Sequence, residues 1–155
     1  MFKPSIGDGC RTWRLLAVAL LAGWLLVVVR PTAAADLGER ETRAVQAVVQ
    51  AQLAALAADD AEQAFSFATP AIRARFGNAA DFMTMVRAGY PMVIKPVAIA
   101  FFIATELDGD AIQKVHLRDA DGARWLAVYQ LQRDGSTWRI AGVAVAAESG
   151  QSKFL

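Results

Sequence analysis

Chemistry that depends on an imidazole has one residue to draw on in this chain, His116. It lies in the run Ile112 to Arg118, where strand alternation puts Lys114, His116 and Arg118 on one face as a solvated basic row. Thiol chemistry is limited to Cys10, the single cysteine. A zinc site draws three or four ligands from His, Cys and carboxylates. The acidic pairs here, Asp59-Asp60 and Asp108 with Asp110, fall where Asp serves turns and helix caps. No metal site is therefore expected. Nor is a cofactor: the chain has neither a glycine-rich phosphate loop nor a Gly-x-Ser-x-Gly elbow. Ser66, Ser136, Ser149 and Ser152 stand in no context that would activate a hydroxyl. What remains for acid–base work is Tyr90, Tyr129, Asp81 and His116, with Arg73 or Arg87 to hold a substrate anion. An enzyme using them would be a cofactor-free lyase or isomerase, and at least one would need a perturbed pKa inside a pocket.

Aromatic side chains are the more informative set. Trp125 and Tyr129 share a strand face, and Trp138 and Ile140 share one on the next run. Most of this apolar area is expected in the core. Where it reaches the surface, Tyr90, Trp125 and Tyr129 are the residues expected to line a mainly apolar ligand pocket with a few polar tips.

The elements that must position them read as helices first and strands second. From Arg40 to Ala58, Val45, Val48, Val49, Leu53 and Leu56 follow one helix face. Asp60 with Gln63 predicts the start of a second helix carrying Phe65 and Phe67. Thr69-Pro70 predicts a third, holding Ile72 and Phe76 and stopping at Gly77. Asn78 caps a fourth, with Asp81 in its first turn, Phe82, Met85 and Val86 on one face, and Gly89 at its end. Beyond Tyr90-Pro91 the period becomes two. Residues 97–107, VAIAFFIATEL, are apolar on both faces, as in a strand covered on both sides. Asp108-Gly109-Asp110, Ala120-Asp121-Gly122 and Asp134-Gly135 are turns that join four runs into an antiparallel meander. The expected fold is α+β, with N-terminal helices on one face of a four-stranded antiparallel sheet. The other face needs cover, and a second copy would supply it, with Phe102 at the interface of a homodimer.

Charge and the first residues set the address. Residues 1–35 carry Lys3, Arg11, Arg14 and Arg30 against Asp8 alone, leaving 12 basic and 14 acidic side chains in residues 36–155. A body so nearly neutral lacks the clustered basic charge that nucleic-acid binding needs. Its 120 residues can bury roughly 65% of their unfolded surface, enough for an unaided core. Segment 15–29, LLAVALLAGWLLVVV, would span only about 22 Å as a helix, less than the roughly 30 Å of a bilayer core. Pro31 follows, then Ala33 and Ala35 at the small-residue positions of a signal-peptidase site. The expectation is a signal segment over 1–35 cut after Ala35, a single domain over 36–149, and a short tail over 150–155. The exported body would be periplasmic; the alternative is an uncleaved anchor at 15–29, the chain's one membrane contact. Cys10 precedes the apolar segment, so the body has no disulfide.

The landmarks Asp59-Asp60, Phe65, Ser66 to Pro70, Arg75-Phe76-Gly77, Met85-Val86-Arg87, Gly89-Tyr90-Pro91, Trp125 and Trp138-Arg139-Ile140 together resemble the bacterial family labelled domain of unknown function 4864. The resemblance runs from about Ala44 to Ser149. It implies a layout similar to the α+β cones of nuclear transport factor two-like and cystatin-like domains. That superfold hosts isomerases, dehydratases, binding modules and dimerisation domains, so it selects no function alone, and the family lends no catalytic residues. The residues favour a non-catalytic exported domain that binds a small apolar ligand or an envelope protein, with the lyase or isomerase as the alternative.

Overall fold

Short side chains with hydrogen-bonding oxygens start three of the four α-helices among the described residues. The computed structural model describes residues 35–148; the apolar segment 15–29, Cys10 and the tail 150–155 lie outside them. Helix α1 (Glu39–Ala57) begins after Gly38 with Glu39 and Glu41 in its first turn, where the positive end of the helix dipole favours carboxylates. Helix α2 (Ala61–Ser66) is capped by Asp60, whose side chain accepts from Gln63 N at 3.0 Å. Thr69 caps α3 (Pro70–Phe76), and Asn78 caps α4 (Ala79–Gly89) by accepting from Asp81 N at 2.8 Å. Gly77 separates the last two helices at φ +76°, a left-handed conformation that costs glycine little. Gly89 is the last helical residue of α4, and a 3₁₀ turn, Pro91–Val93, leads toward the sheet.

The α+β expectation holds. Strands β4 (Asp110–Arg118), β5 (Arg124–Asp134) and β6 (Thr137–Ala147) form the antiparallel meander. Its first strand is split into β2 (Ala98–Phe101) and β3 (Thr105–Leu107), which pair with successive parts of β4. Two residues preceding α1 form β1 (Ala35–Asp36) and extend the edge by pairing with β3. The turn between β3 and β4 has Asp108 and Gly109 both at positive φ, matching the right-handed strand twist.

One side of the sheet packs on the helices. Val45, Val49, Leu53 and Leu56 of α1 meet Val115, Leu117, Ala127 and Leu131 in a single buried cluster. Within the described residues the helices cover residues 97–107 on one face only. The strand also breaks at 102–104, where one extra residue bulges out. Phe102 O accepts from Gln46 Nε2 at 3.0 Å and from Gln113 Nε2 at 2.8 Å, which fixes the break. The bulge turns Ala104 fully inward and leaves Phe102 42% and Ile103 66% exposed.

Candidate functional site: a cleft between two helices and the sheet

A second bulge, in β6, sets the site. Leu131 pairs with Ile140 and Gln130 with Gly142, so Ala141 is the extra residue. At the same place the link between α2 and α3 lies along the free edge of β6. Thr69 N donates to Ile140 O and Ile140 N to Phe67 O, both at 2.9 Å, and an Arg139 guanidinium N–H donates to Ser66 O at 2.6 Å. The chain is thus pinned to the sheet just before α3 begins. Between α3, α4 and the β5–β6 bulge a cleft of about 660 Å³ opens, within the range of small-molecule sites.

Helical spacing decides what the walls present. Ile72, Arg75 and Phe76 stand at i, i+3 and i+4 on α3, and Phe82, Met85, Val86 and Gly89 repeat that spacing on α4; all seven line the cleft. Phe82 stacks against Phe65 at 5.3 Å and meets the edge of Phe76 at 5.8 Å, so this wall is held by aromatic contacts. Tyr129, in the middle of β5, is only 1% exposed and lies at the floor. Burial pushes its phenol well above the ordinary value, and no hydrogen bond offsets that desolvation. The hydroxyl therefore stays protonated and unpartnered among the described residues. Gln52, also buried in the lining, is occupied by donating to Ala64 O at 3.3 Å. Arg75 is exposed at the rim, its guanidinium 5.9 Å from the Phe76 ring centre. It is the one charged residue of the lining, and it forms no ion pair among the described residues.

The residues singled out from sequence do not converge on one place. Tyr90 and Tyr129 line the cleft. Trp125 is not in the lining; its indole N–H donates to Asp119 Oδ2 at 2.8 Å, and that bond holds the Asp119 carboxyl below its usual range. Asp81 serves the start of α4, accepting from Asn78 Nδ2 at 2.8 Å. His116 lies on the opposite sheet face, its Nε2 2.7 Å from Glu148 Oε1 and its ring edge-on to Phe102 at 4.6 Å. Of the two arginines considered for an anion, Arg87 pairs with Asp59, and Arg73 stands outside the lining with its Nε buried and unpartnered. Sequence reading passed over Arg75. The signal was present in the i, i+3, i+4 spacing, which sets a cation on the apolar face of α3. Among the described residues, no group of three or more His, Cys, Asp or Glu could hold a metal ion, and no helix is long and apolar enough to cross a membrane.

The family described as Domain of unknown function (DUF4864) matches residues 39–153, which include every helix, β2 to β6 and the cleft. The chain belongs to that family. The helices-then-sheet layout of this DUF4864 protein is also consistent with the nuclear transport factor two-like cones. Comparison with curated proteins finds no match, and neither does comparison with solved structures.

Proposed function

We propose that this DUF4864 protein is an exported, non-catalytic binding domain that takes a small, largely apolar ligand into the cleft between α3, α4 and the β5–β6 bulge. The observation that carries this reading is the cleft itself: about 660 Å³, walled by aliphatic and aromatic side chains, with an unpartnered phenol at its floor. A few fixed polar groups in an apolar cavity are what a ligand site needs for orientation. A lyase or isomerase would require its acid and base in one place. Asp81 is engaged in capping and His116 faces away, so binding is the preferred use of Tyr90 and Tyr129.

Export is part of the proposal, on the basic residues, apolar run and Ala-x-Ala pattern of residues 1–35. Cleavage after Ala35 would fall within β1. It would leave Asp36 opposite Thr105 and Leu37 N donating to Ala104 O at 3.0 Å. A two-fold dimer through the outer sheet face completes the reading. That face carries Ala100, Phe102, Leu126, Val128, Ala144 and Ala146, crossed in its middle by Lys114 and His116 of β4, with Arg118 and Glu148 toward one end and Asp110 toward the other. Apolar side chains and charges of both signs on one face suit self-pairing, in which each group of one copy meets a different group of the other.

A non-denaturing mass spectrum of the protein purified from its producing cells tests the binding reading. The expected result is mass beyond a whole number of chains, lost on denaturation. Bare chains under conditions that preserve a control complex would count against it. The same spectrum shows whether residues 1–35 are removed.

A further inference from the structure

Three features of the cleft, taken together, restrict its ligand beyond "apolar". The lining carries a single charge, the Arg75 cation, and no carboxylate of the described residues pairs with it. Arg75 lies at the exposed rim, whereas the polar groups at the buried end, the Tyr129 hydroxyl and the Gln52 amide that donates to Ala64 O, are neutral. Between them the surface is aliphatic and aromatic: Ile72, Phe76, Phe82, Val86, Ile140 and Val143.

Each end selects a different chemistry. A guanidinium offers parallel N–H donors that match a carboxylate, and at the rim an anion keeps part of its hydration. At the floor a bare anion would be desolvated with no cation to meet it. A neutral oxygen fits there, because a protonated phenol can donate to it, and a buried hydroxyl left unmatched is costly. An entirely apolar ligand would leave both ends unanswered. From this we infer that the cleft binds a free amphipathic carboxylic acid, its carboxylate at Arg75, its apolar body along α3 and α4, and a neutral hydroxyl or carbonyl oxygen at Tyr129. The inference rests on the binding reading of the cleft given above.

Calorimetric titration of the purified protein with decan-1-ol, decanoate and 10-hydroxydecanoate tests both ends. In Tyr129→Phe, where an alcohol has no inner partner, decanoate is expected to bind about fivefold more tightly than decan-1-ol, the gain available to a solvent-exposed ion pair. The added hydroxyl of 10-hydroxydecanoate should bring about fivefold more, the value of one neutral hydrogen bond. In Arg75→Gln the decanoate affinity should fall about fivefold, the loss of that ion pair. In Tyr129→Phe the advantage of 10-hydroxydecanoate over decanoate should vanish while decanoate still binds. Neither change should affect folding, since Arg75 is exposed and unpaired and phenylalanine keeps the ring of Tyr129. Equal affinities of Tyr129→Phe for the alcohol and the acid, or a decanoate affinity unchanged by Arg75→Gln, would overturn the carboxylate assignment and leave apolar binding standing. A hydroxyl advantage that is absent in the wild type or persists in Tyr129→Phe would overturn the inner oxygen. Binding of none of the three probes would count against the binding reading itself.

Discussion

Two indole N–H groups in this protein are satisfied by carboxylates, and both carboxylates are acidified by it. Trp138 Nε1 donates to Glu41 Oε2 at 2.9 Å, and Arg133 joins by bonding the same oxygen while its guanidinium lies 4.4 Å over the Trp138 ring. The indole bond is the largest cause of the lowered Glu41 pKa, and the Arg133 charge adds to it. Asp119 behaves likewise toward Trp125, helped by the backbone N–H groups of its turn. A carboxyl with a folded pKa below its unfolded one contributes stability that is complete above the unfolded value. That contribution is lost as pH falls through the folded value. Melting temperature should therefore drop as pH is lowered from about 5, across the ordinary carboxyl range. Glu41→Gln should start lower at neutral pH and show a flatter acid limb; an unchanged limb in a thermal melt series would remove Glu41 from that account. The same bonding explains what could be read of the site. Tyr90 and Tyr129 were legible as cleft residues because an aromatic with a polar tip at an inward strand or helix-end position has few other uses. Trp125 carries the same signature, but its N–H is taken by an aspartate six residues earlier, a turn contact that strand alternation does not reveal. Arg75 differs from Arg73 and Arg87 only in the helix face it occupies, which residue type alone does not show.

Helix starts and hairpin turns follow from neighbours in sequence, which is why their positions could be read in advance. Asp60, Thr69 and Asn78 each bond a backbone N–H three residues on, so four consecutive side chains contain the whole signal. The bulge at residues 102–104 has no such signal. Residues 97–107 are apolar at nearly every position, so no alternation marks where the strand changes face. What fixes the break is distant: Gln46 from α1 and Gln113 from β4 both reach the Phe102 carbonyl. Gln113 is fully buried and also donates to Lys114 O at 2.8 Å, while its own Oε1 has no partner. A buried amide in an apolar sheet face persists where its donors are needed. Gln113→Leu keeps the volume and removes both bonds. It should cost about 2 kcal/mol, two hydrogen bonds at about 1 kcal/mol each, measured as a shift in the urea midpoint with unchanged slope. A cost below about 0.5 kcal/mol, the range of an ordinary surface substitution, would mean that Gln46 alone holds the bulge.

At the scale of the molecule, the exposed large apolar side chains among the described residues are concentrated in one segment. Val97, Ile99, Phe102, Ile103 and Leu107 all belong to β2, β3 and the residues beside them. Scattered exposed apolar residues need no explanation, but a contiguous group at the edge and outer face of a sheet does. Among the described residues the strand they occupy also has no partner along the outer edge of β2, since β1 covers only β3. Natural sheets protect such edges with charge, proline or a partner, and residues 97–103 include no charge and no proline. Self-pairing through the outer face would cover Phe102 and extend over Leu126 and Val128, which are half-buried already. Phe102 is the residue to change, because it rests edge-on against His116 on that face and is not part of the inner core. In sedimentation velocity the wild type should run as two chains and Phe102→Lys as one. The circular dichroism spectrum should stay the same, since the altered side chain is already 42% exposed. A lysine there would have to be desolvated against apolar partners without an anion opposite, and that cost falls on association rather than folding. Equal mass for both proteins would leave the outer face without a second copy. The apolar strand would then have to be covered by a different molecule, and crosslinking from Phe102 and Ile103 in intact cells would identify it.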